Sequence, residues 1–303
     1  GFGISEDAFS ADNALPFMGV GQGCTAAPPG FNAVSTLMIN AYKKMGHDLE
    51  FRAGWSDVVA SLAAILYVDD TDLLYRIAQL DMTDEEFVAQ LQVAVNDWVY
   101  LVQASGGHIK RAKSFWYITL FDFVNGVATP RRLPSMSSLR LTIPQPGGTD
   151  VTIPLQDFDH SSKSLGVYSS PSNSGVGQVD AIKEKGLTWA AKASSSPLRP
   201  REVWHSLTLQ LYPSMFFGSN CISADPQYLD DAIHSVYYQS LSSLGVNRHI
   251  TRAFRTLPAR YQGLGLREPN LEVLSAKICV LHRHFGEDTN DGALSRVVFE
   301  TFQ

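Results

Sequence analysis

Two adjacent aspartates, Asp69 and Asp70, stand at the end of an apolar run from Val58 to Leu66. A shorter run, Thr71-Asp72-Leu73-Leu74-Tyr75, follows them. Few arrangements tolerate two carboxylates side by side between strand-forming stretches. Each prefers water, and each raises the pKa of the other. The pair therefore suits an exposed hairpin tip, or a divalent cation that neutralises both acids. Mg²⁺ or Mn²⁺ would be the fitting ion. Taken alone, such a turn is an ordinary solvated hairpin tip. The segments on either side give it more meaning.

Upstream stands Gly21-Gln22-Gly23-Cys24-Thr25-Ala26-Ala27-Pro28, followed by a helical apolar pattern from Phe31 to Met45. The glycines around Gln22 let the backbone approach a flat partner closely. Pro28 or Pro29 can open a helix without losing a needed N–H. Downstream, Gly106-Gly107 and Lys113 precede an aromatic strand pattern, Phe115-Trp116-Tyr117-Ile118, and Lys163-Ser164-Leu165-Gly166-Val167 comes later. Tyr261-Gln262-Gly263-Leu264-Gly265 completes the series.

In order and spacing these segments resemble the reverse transcriptases of non-LTR-type retroelements, as found in protists and fungi, over roughly residues 1 to 270. The resemblance implies a role for each. Gln22 and Gly23 would shape the surface under the template–nucleotide pair, although Gly21 replaces a common proline and Ala27 a common serine. Tyr67 would pack beside the primer end. Asp69 would be the first metal ligand and Asp70 the second, and Lys113 would lie near the incoming nucleotide. Leu165-Gly166 would belong to the strand that grips the primer. The implied partners are an RNA template, a DNA primer and a dNTP, with Mg²⁺ or Mn²⁺ as cofactor.

Such polymerases carry a further aspartate on a strand preceding the glutamine-glycine motif. Here twenty-one residues precede Gln22, and their acids Glu6, Asp7 and Asp12 lie in a loop-like stretch. The expectation is a fragment that lacks its fingers and first palm strand, starts after that aspartate motif and is inactive alone. The expected fold is α+β: a partial palm over 1–125, β-hairpins and a primer-grip-like strand over 126–170, and a mostly helical, thumb-like part over 171–303.

Composition permits this. The 303 residues are 45% apolar, enough for one large or two ordinary domains. No apolar run reaches the roughly eighteen residues of a membrane span. The three cysteines, Cys24, Cys221 and Cys279, are scattered and odd in number. They suggest neither a metal site nor a disulfide framework, which predicts a soluble, intracellular protein. The net charge of −6 runs against nucleic-acid binding, but distribution outweighs the sum. From Leu241 to Arg267 the chain holds Arg248, Arg252, Arg255, Arg260 and Arg267 without an acid. Arg248, Arg252 and Arg255 are the candidate phosphate contacts, the alternative being a solvated surface.

Local signals predict a helix from about Pro29 to Lys44, closed by Gly46, and a hairpin from Val58–Leu66 and Thr71–Tyr75. Thr83 with Glu86 forms a capping box that opens a helix burying Phe87, Leu91, Val95, Trp98 and Val102. Ser105-Gly106-Gly107 closes it. Phe115 to Val124 reads as a strand turning at Asn125-Gly126. Ser138–Pro144 and Val151–Leu155 read as a hairpin across Gly147-Gly148. Residues 169–177 read as a connector. Helices are expected at Val179–Ser194, Arg201–Leu211, Pro226–Leu244 and Leu271–Phe285, with Asp225 capping the third.

Two other readings compete. A dinucleotide-binding oxidoreductase is suggested by Gly19-x-Gly21-x-Gly23, but Cys24 stands where the next glycine belongs and Pro16 breaks the preceding strand. A non-catalytic remnant that keeps the fold and binds nucleic acid is the second.

Overall fold

The computed structural model describes residues 27–67, 70–76, 82–144 and 150–301. The fold is α+β, in two compact units. One runs up to Arg52 and adds Val59–Trp116 and Met136–Leu155; the other holds Ala53–Val58, Tyr117–Ser135 and the chain from Gln156. Among the described residues no helix is long and apolar enough to cross a membrane.

In the first unit, α1 spans Ala27–Lys44, with Lys43 and Lys44 in its last turn. Prolines start it, cations complement the negative end of its dipole, and Gly46 at φ +94° turns the chain away. The apolar run that follows was expected to be one strand. It divides at Ala63. Its first half, β2 (Val59–Leu62), pairs antiparallel with β1 (Leu49–Arg52), a strand the sequence reading did not anticipate. Its second half, β3 (Ala64–Tyr67), pairs antiparallel with β4 (Asp70–Leu73). A nine-residue run outlasts the five-residue return strand, so its surplus needs another ladder partner.

Helix α2 (Asp84–Ala104) begins with the expected capping box. The Glu86 amide donates to Thr83 Oγ1 at 3.2 Å, and the Thr83 amide donates to Glu86 Oε2 at 2.9 Å. At its end the Gly107 amide donates to Val102 O and the Gly106 amide to Gln103 O, with Gly106 at φ +83°. This double closure requires the left-handed conformation that glycine supplies. The buried face runs through Val88, Ala94, Trp98 and Val99, one residue round from the predicted line at its start. Tyr42 meets the edge of Trp98 with ring centroids 5.4 Å apart. Leu66 and Leu73, from β3 and β4, pack on the same cluster. The strands Leu141–Ile143 and Val151–Ile153 pair as expected. The Gln92 side chain from α2 docks on them as a short strand would, accepting from the Thr142 amide and donating to its carbonyl, both at 2.8 Å.

In the second unit, Phe121–Val124 pairs with Val127–Pro130. Asn125 and Gly126, at φ +52° and +80°, make the primed turn that the Asn-Gly dipeptide favours. The expected strand from Phe115 is interrupted: Trp116–Tyr117 and Phe121–Val124 are separate. The helices are α3 (Val176–Ser195), α4 (Pro200–Ser206), α5 (Tyr212–Met215), α6 (Pro226–Ser240), α7 (Arg252–Thr256), α8 (Pro269–His284) and α9 (Asn290–Thr301). A π-wound stretch, Leu207–Leu211, joins α4 to α5. Asp225 caps α6, accepting from the Gln227 and Tyr228 amides. The core of this unit includes Val179, Ile182, Val203, Leu207, Leu211, Met215, Ile233, Val236 and Leu241. Gly186 of α3 lets α6 come close: a Cβ there would lie 2.6 Å from Val236 Cγ2.

Candidate functional site

The β3–β4 ladder decides what its acids face. Tyr67 lies opposite Asp70 and Ile65 opposite Asp72. Paired residues share a sheet face, and so do alternate residues along a strand. Ile65, Tyr67, Asp70 and Asp72 therefore share one face, and all four are exposed. Leu66 and Leu73 point the other way, into the cluster built on α1 and α2. The hairpin thus sits on two helices and turns its acids to solvent. Asp69, with Gln22 and Gly23, lies outside the described residues. Asp72 was not among the expected site residues, although period-two alternation could have placed it beside Asp70.

Asp70 and Asp72 offer oxygen donors, the type that suits a hard divalent cation. Among the described residues no group of three or more His, Cys, Asp or Glu side chains comes together as a metal cage. The described donor set thus fits a loosely held ion that keeps most of its water.

Lys113 ends a single tight turn, Arg111–Lys113, and is exposed. Among the described residues no hydrogen bond or ion pair joins its ammonium to Asp70. Arg111 is better anchored: its Nη2 donates to Pro144 O at 2.9 Å. His108 to Ala112 and Val151 line a shallow groove of about 580 Å³ beside this turn.

Leu165 and Gly166 do not form a strand. They make the turn between Ser162–Ser164 and Val167–Ser169, at φ +52° and +87°. The lysine-serine and valine-tyrosine steps around them carry the period-two pattern, and two residues at positive φ reverse the chain between matched strands. Leucine is an uncommon occupant of that conformation. A Cβ on Gly166 would lie 3.2 Å from Phe217.

The arginine-rich segment is not uniformly available. Arg252 is paired with Asp230 and lies 3.5 Å from Asp231. Both acids come from α6, outside the acid-free stretch. Arg267 pairs with Glu272 at 3.0 Å. Arg248 and Arg255 both stand over the Tyr238 ring, 5.9 and 5.7 Å from its centroid. Arg260 lies 4.8 Å from the Tyr261 centroid. Among the described residues no carboxylate pairs with Arg248, Arg255 or Arg260. Free cationic charge is therefore kept by these three, and Arg252 drops out of the expected phosphate set.

One polar cluster escaped the sequence reading. His47 Nε2 lies 2.7 Å from Asp97 Oδ2, and the His47 ring lies 4.6 Å from Tyr42. Burial, then the Asp97 charge, holds the Tyr42 phenol well above its ordinary range. His47 sits in a loop just after Gly46, where periodicity carries no signal.

Compared with protein-family models, with curated proteins and with solved structures, the chain matches none of them.

Proposed function

We propose that the chain is a reverse transcriptase domain of the non-LTR retroelement type, acting on an RNA template and a DNA primer with dNTPs. The observation that carries this reading is the β3–β4 hairpin. It seats Tyr67 and Asp70 on a solvent-facing surface above α1, the helix that directly follows the glutamine-glycine motif in sequence. On this reading the first unit is the palm and the helices of the second are the thumb. Asp70, with Asp69 beside it in sequence, would hold Mg²⁺ or Mn²⁺. When bound, the ion polarises phosphate oxygens for in-line displacement. Tyr67 would bound the primer end, and Lys113 would meet phosphate charge. Arg248 and Arg255 would touch the duplex backbone.

A second reading is favoured by the absence, among the described residues, of a third metal-ligating side chain near Asp70 and Asp72. A two-metal displacement needs carboxylates from more than one strand to fix the distance between ions. On that reading the chain binds a primer–template without extending it. Primer extension on an RNA template, with Mg²⁺ and then Mn²⁺, separates the two. Extension abolished by Asp69→Ala or Asp70→Ala supports the polymerase. Salt-sensitive binding without extension supports the remnant. Failure to bind a primer–template at low salt defeats both.

A further inference from the structure

The segment Tyr261-Gln262-Gly263-Leu264-Gly265 has no part in the chemistry assigned so far. It forms a tightly closed loop after α7. The Tyr261 and Gly263 amides donate to Pro258 O at 2.8 and 3.3 Å, and the Gln262 amide donates to Ala259 O at 2.9 Å. The Gly265 amide donates to Leu257 O and the Leu266 amide to Arg255 O, both at 2.9 Å. A Cβ at position 263 would lie 2.0 Å from Leu257 O, so the closure needs glycine there. A loop bound to itself in this way presents its side chains in a fixed arrangement.

Arg260, Tyr261 and Gln262 are exposed at its tip. The Arg260 guanidinium carbon lies 4.8 Å from the Tyr261 ring centroid. Tyr261 is still 59% exposed, which leaves ring surface for a second flat partner. Gln262 holds φ at +65°. Glycine adopts that conformation freely, whereas a glutamine does so under strain. Strain kept at an exposed position is a mark of a side chain retained for what it binds. Its amide group offers both donors and an acceptor. Charge around the tip is one-sided. No acid lies between Leu241 and Arg267. The next two acids are engaged: Glu268 accepts from the Leu271 amide, and Glu272 pairs with Arg267.

We propose that this tip binds an unpaired nucleotide. Tyr261 stacks on the base, Gln262 hydrogen-bonds to the base edge, and Arg260 meets the phosphate. The proposal rests on the nucleic-acid reading above and adds a site that the duplex does not fill. Bases inside a duplex are already stacked and paired, while an unpaired base offers its face and its edges. A guanidinium beside an aromatic ring keeps N–H donors for phosphate oxygens.

Fluorescence anisotropy of the whole chain at low salt tests this. The probes are a blunt RNA–DNA hybrid, the same hybrid with a short unpaired RNA extension, and the same extension made abasic. The abasic extension keeps the phosphates without the bases, so it separates stacking from charge. The parent chain should bind the intact extension about tenfold more tightly than the abasic one. Tyr261→Ala should abolish that preference, and Tyr261→Phe should keep it. Gln262→Gly relieves the left-handed strain, so it should raise the melting temperature and yet reduce the preference several-fold. A glutamine that merely closes the loop would leave the preference unchanged in that variant, which would overturn the proposal. A folded Tyr261→Ala variant with the parental preference would do the same. A parent chain that binds the hybrid but treats both extensions alike overturns the proposal and spares the nucleic-acid reading. One that binds no probe overturns both.

Discussion

Arg252 of α7 is held by Asp230 of α6, with Asp231 on its other flank. A cation already paired this way releases few counterions on binding a phosphate backbone. Arg252→Ala should therefore leave the salt dependence of primer–template binding nearly unchanged. It should lower stability by about 1 kcal/mol, the scale for a partly exposed ion pair. Arg248→Ala and Arg255→Ala should each reduce the salt slope by about one. Fluorescence anisotropy at several salt concentrations, with urea denaturation alongside, checks both halves. A steep loss of slope in Arg252→Ala alone would reverse the assignment.

Asp70 and Asp72 share an exposed face. Mn²⁺ titration should show weak binding, because carboxylates from a single strand form only part of a coordination shell. Asp70→Ala should weaken it several-fold, about 1 kcal/mol. An isotherm unchanged by that substitution would remove Asp70 from any metal site.

His234 is buried on α6, 3.2 Å from Asp230. Its Nδ1 finds no hydrogen-bond partner among the described residues. Burial, then the Arg252 charge, lowers its pKa; Asp230 and Asp231 oppose this and Arg255 adds to it. A histidine with a depressed native pKa stays neutral when folded and takes up its proton on unfolding. The unfolded state then binds more protons, so stability rises with pH in that window. The contribution is complete above the unfolded value of about 6.5 and is lost as pH falls through it towards the folded value. His234→Gln should flatten the dependence of the urea midpoint on pH below about 6.5. A parent chain equally stable on both sides of that pH would contradict this account.

Gly186 faces Val236, which is fully buried and has nowhere to move. Alanine in a helix interior ordinarily gains about 1 kcal/mol over glycine. Overpacking a filled core costs about 1–3 kcal/mol. With a contact of 2.6 Å the second effect should win. Gly186→Ala should therefore lower the melting temperature, where an exposed helical glycine would raise it. Thermal unfolding followed by circular dichroism measures the sign directly.

Local chemistry was legible wherever one segment contains its own instructions. The Thr83–Glu86 box, the Gly106 closure, the Asn125-Gly126 turn and the Asp225 cap all formed as their residues dictate. Legibility ended where a partner lies far along the chain. The apolar stretch after Val58 read as one strand because nothing within it announces β1 as a second partner. Arg252 read as free because Asp230 lies outside the window in which charge was counted. α7 has only five residues, too few to show periodicity, and α9 opens at Thr289, whose Oγ1 accepts from the Gly292 amide, a cap the sequence reading passed over. At the candidate site the hairpin itself was legible, but the register that sets Tyr67 opposite Asp70 was not, because alternation alone puts residues three apart on opposite faces. Leu165 misled because leucine ordinarily signals a strand or helix rather than a turn at positive φ.

The π-wound stretch between α4 and α5 sets how this helix answers a change of length. Val203, Leu207, Leu211 and Met215 lie four residues apart, yet all are 3% exposed or less, while Leu209 between them is 74% exposed. At ordinary α pitch a four-residue step overshoots by about 40°, so four such positions would wander off one line. The wide turn at Leu207–Leu211 absorbs the overshoot with i→i+5 bonding. The helix therefore carries a spare residue at its middle. Deleting one residue there would let the chain relax to standard winding with both flanking ends still facing inward. The same deletion two turns to either side would rotate everything beyond it by about 100° and expose half the buried line.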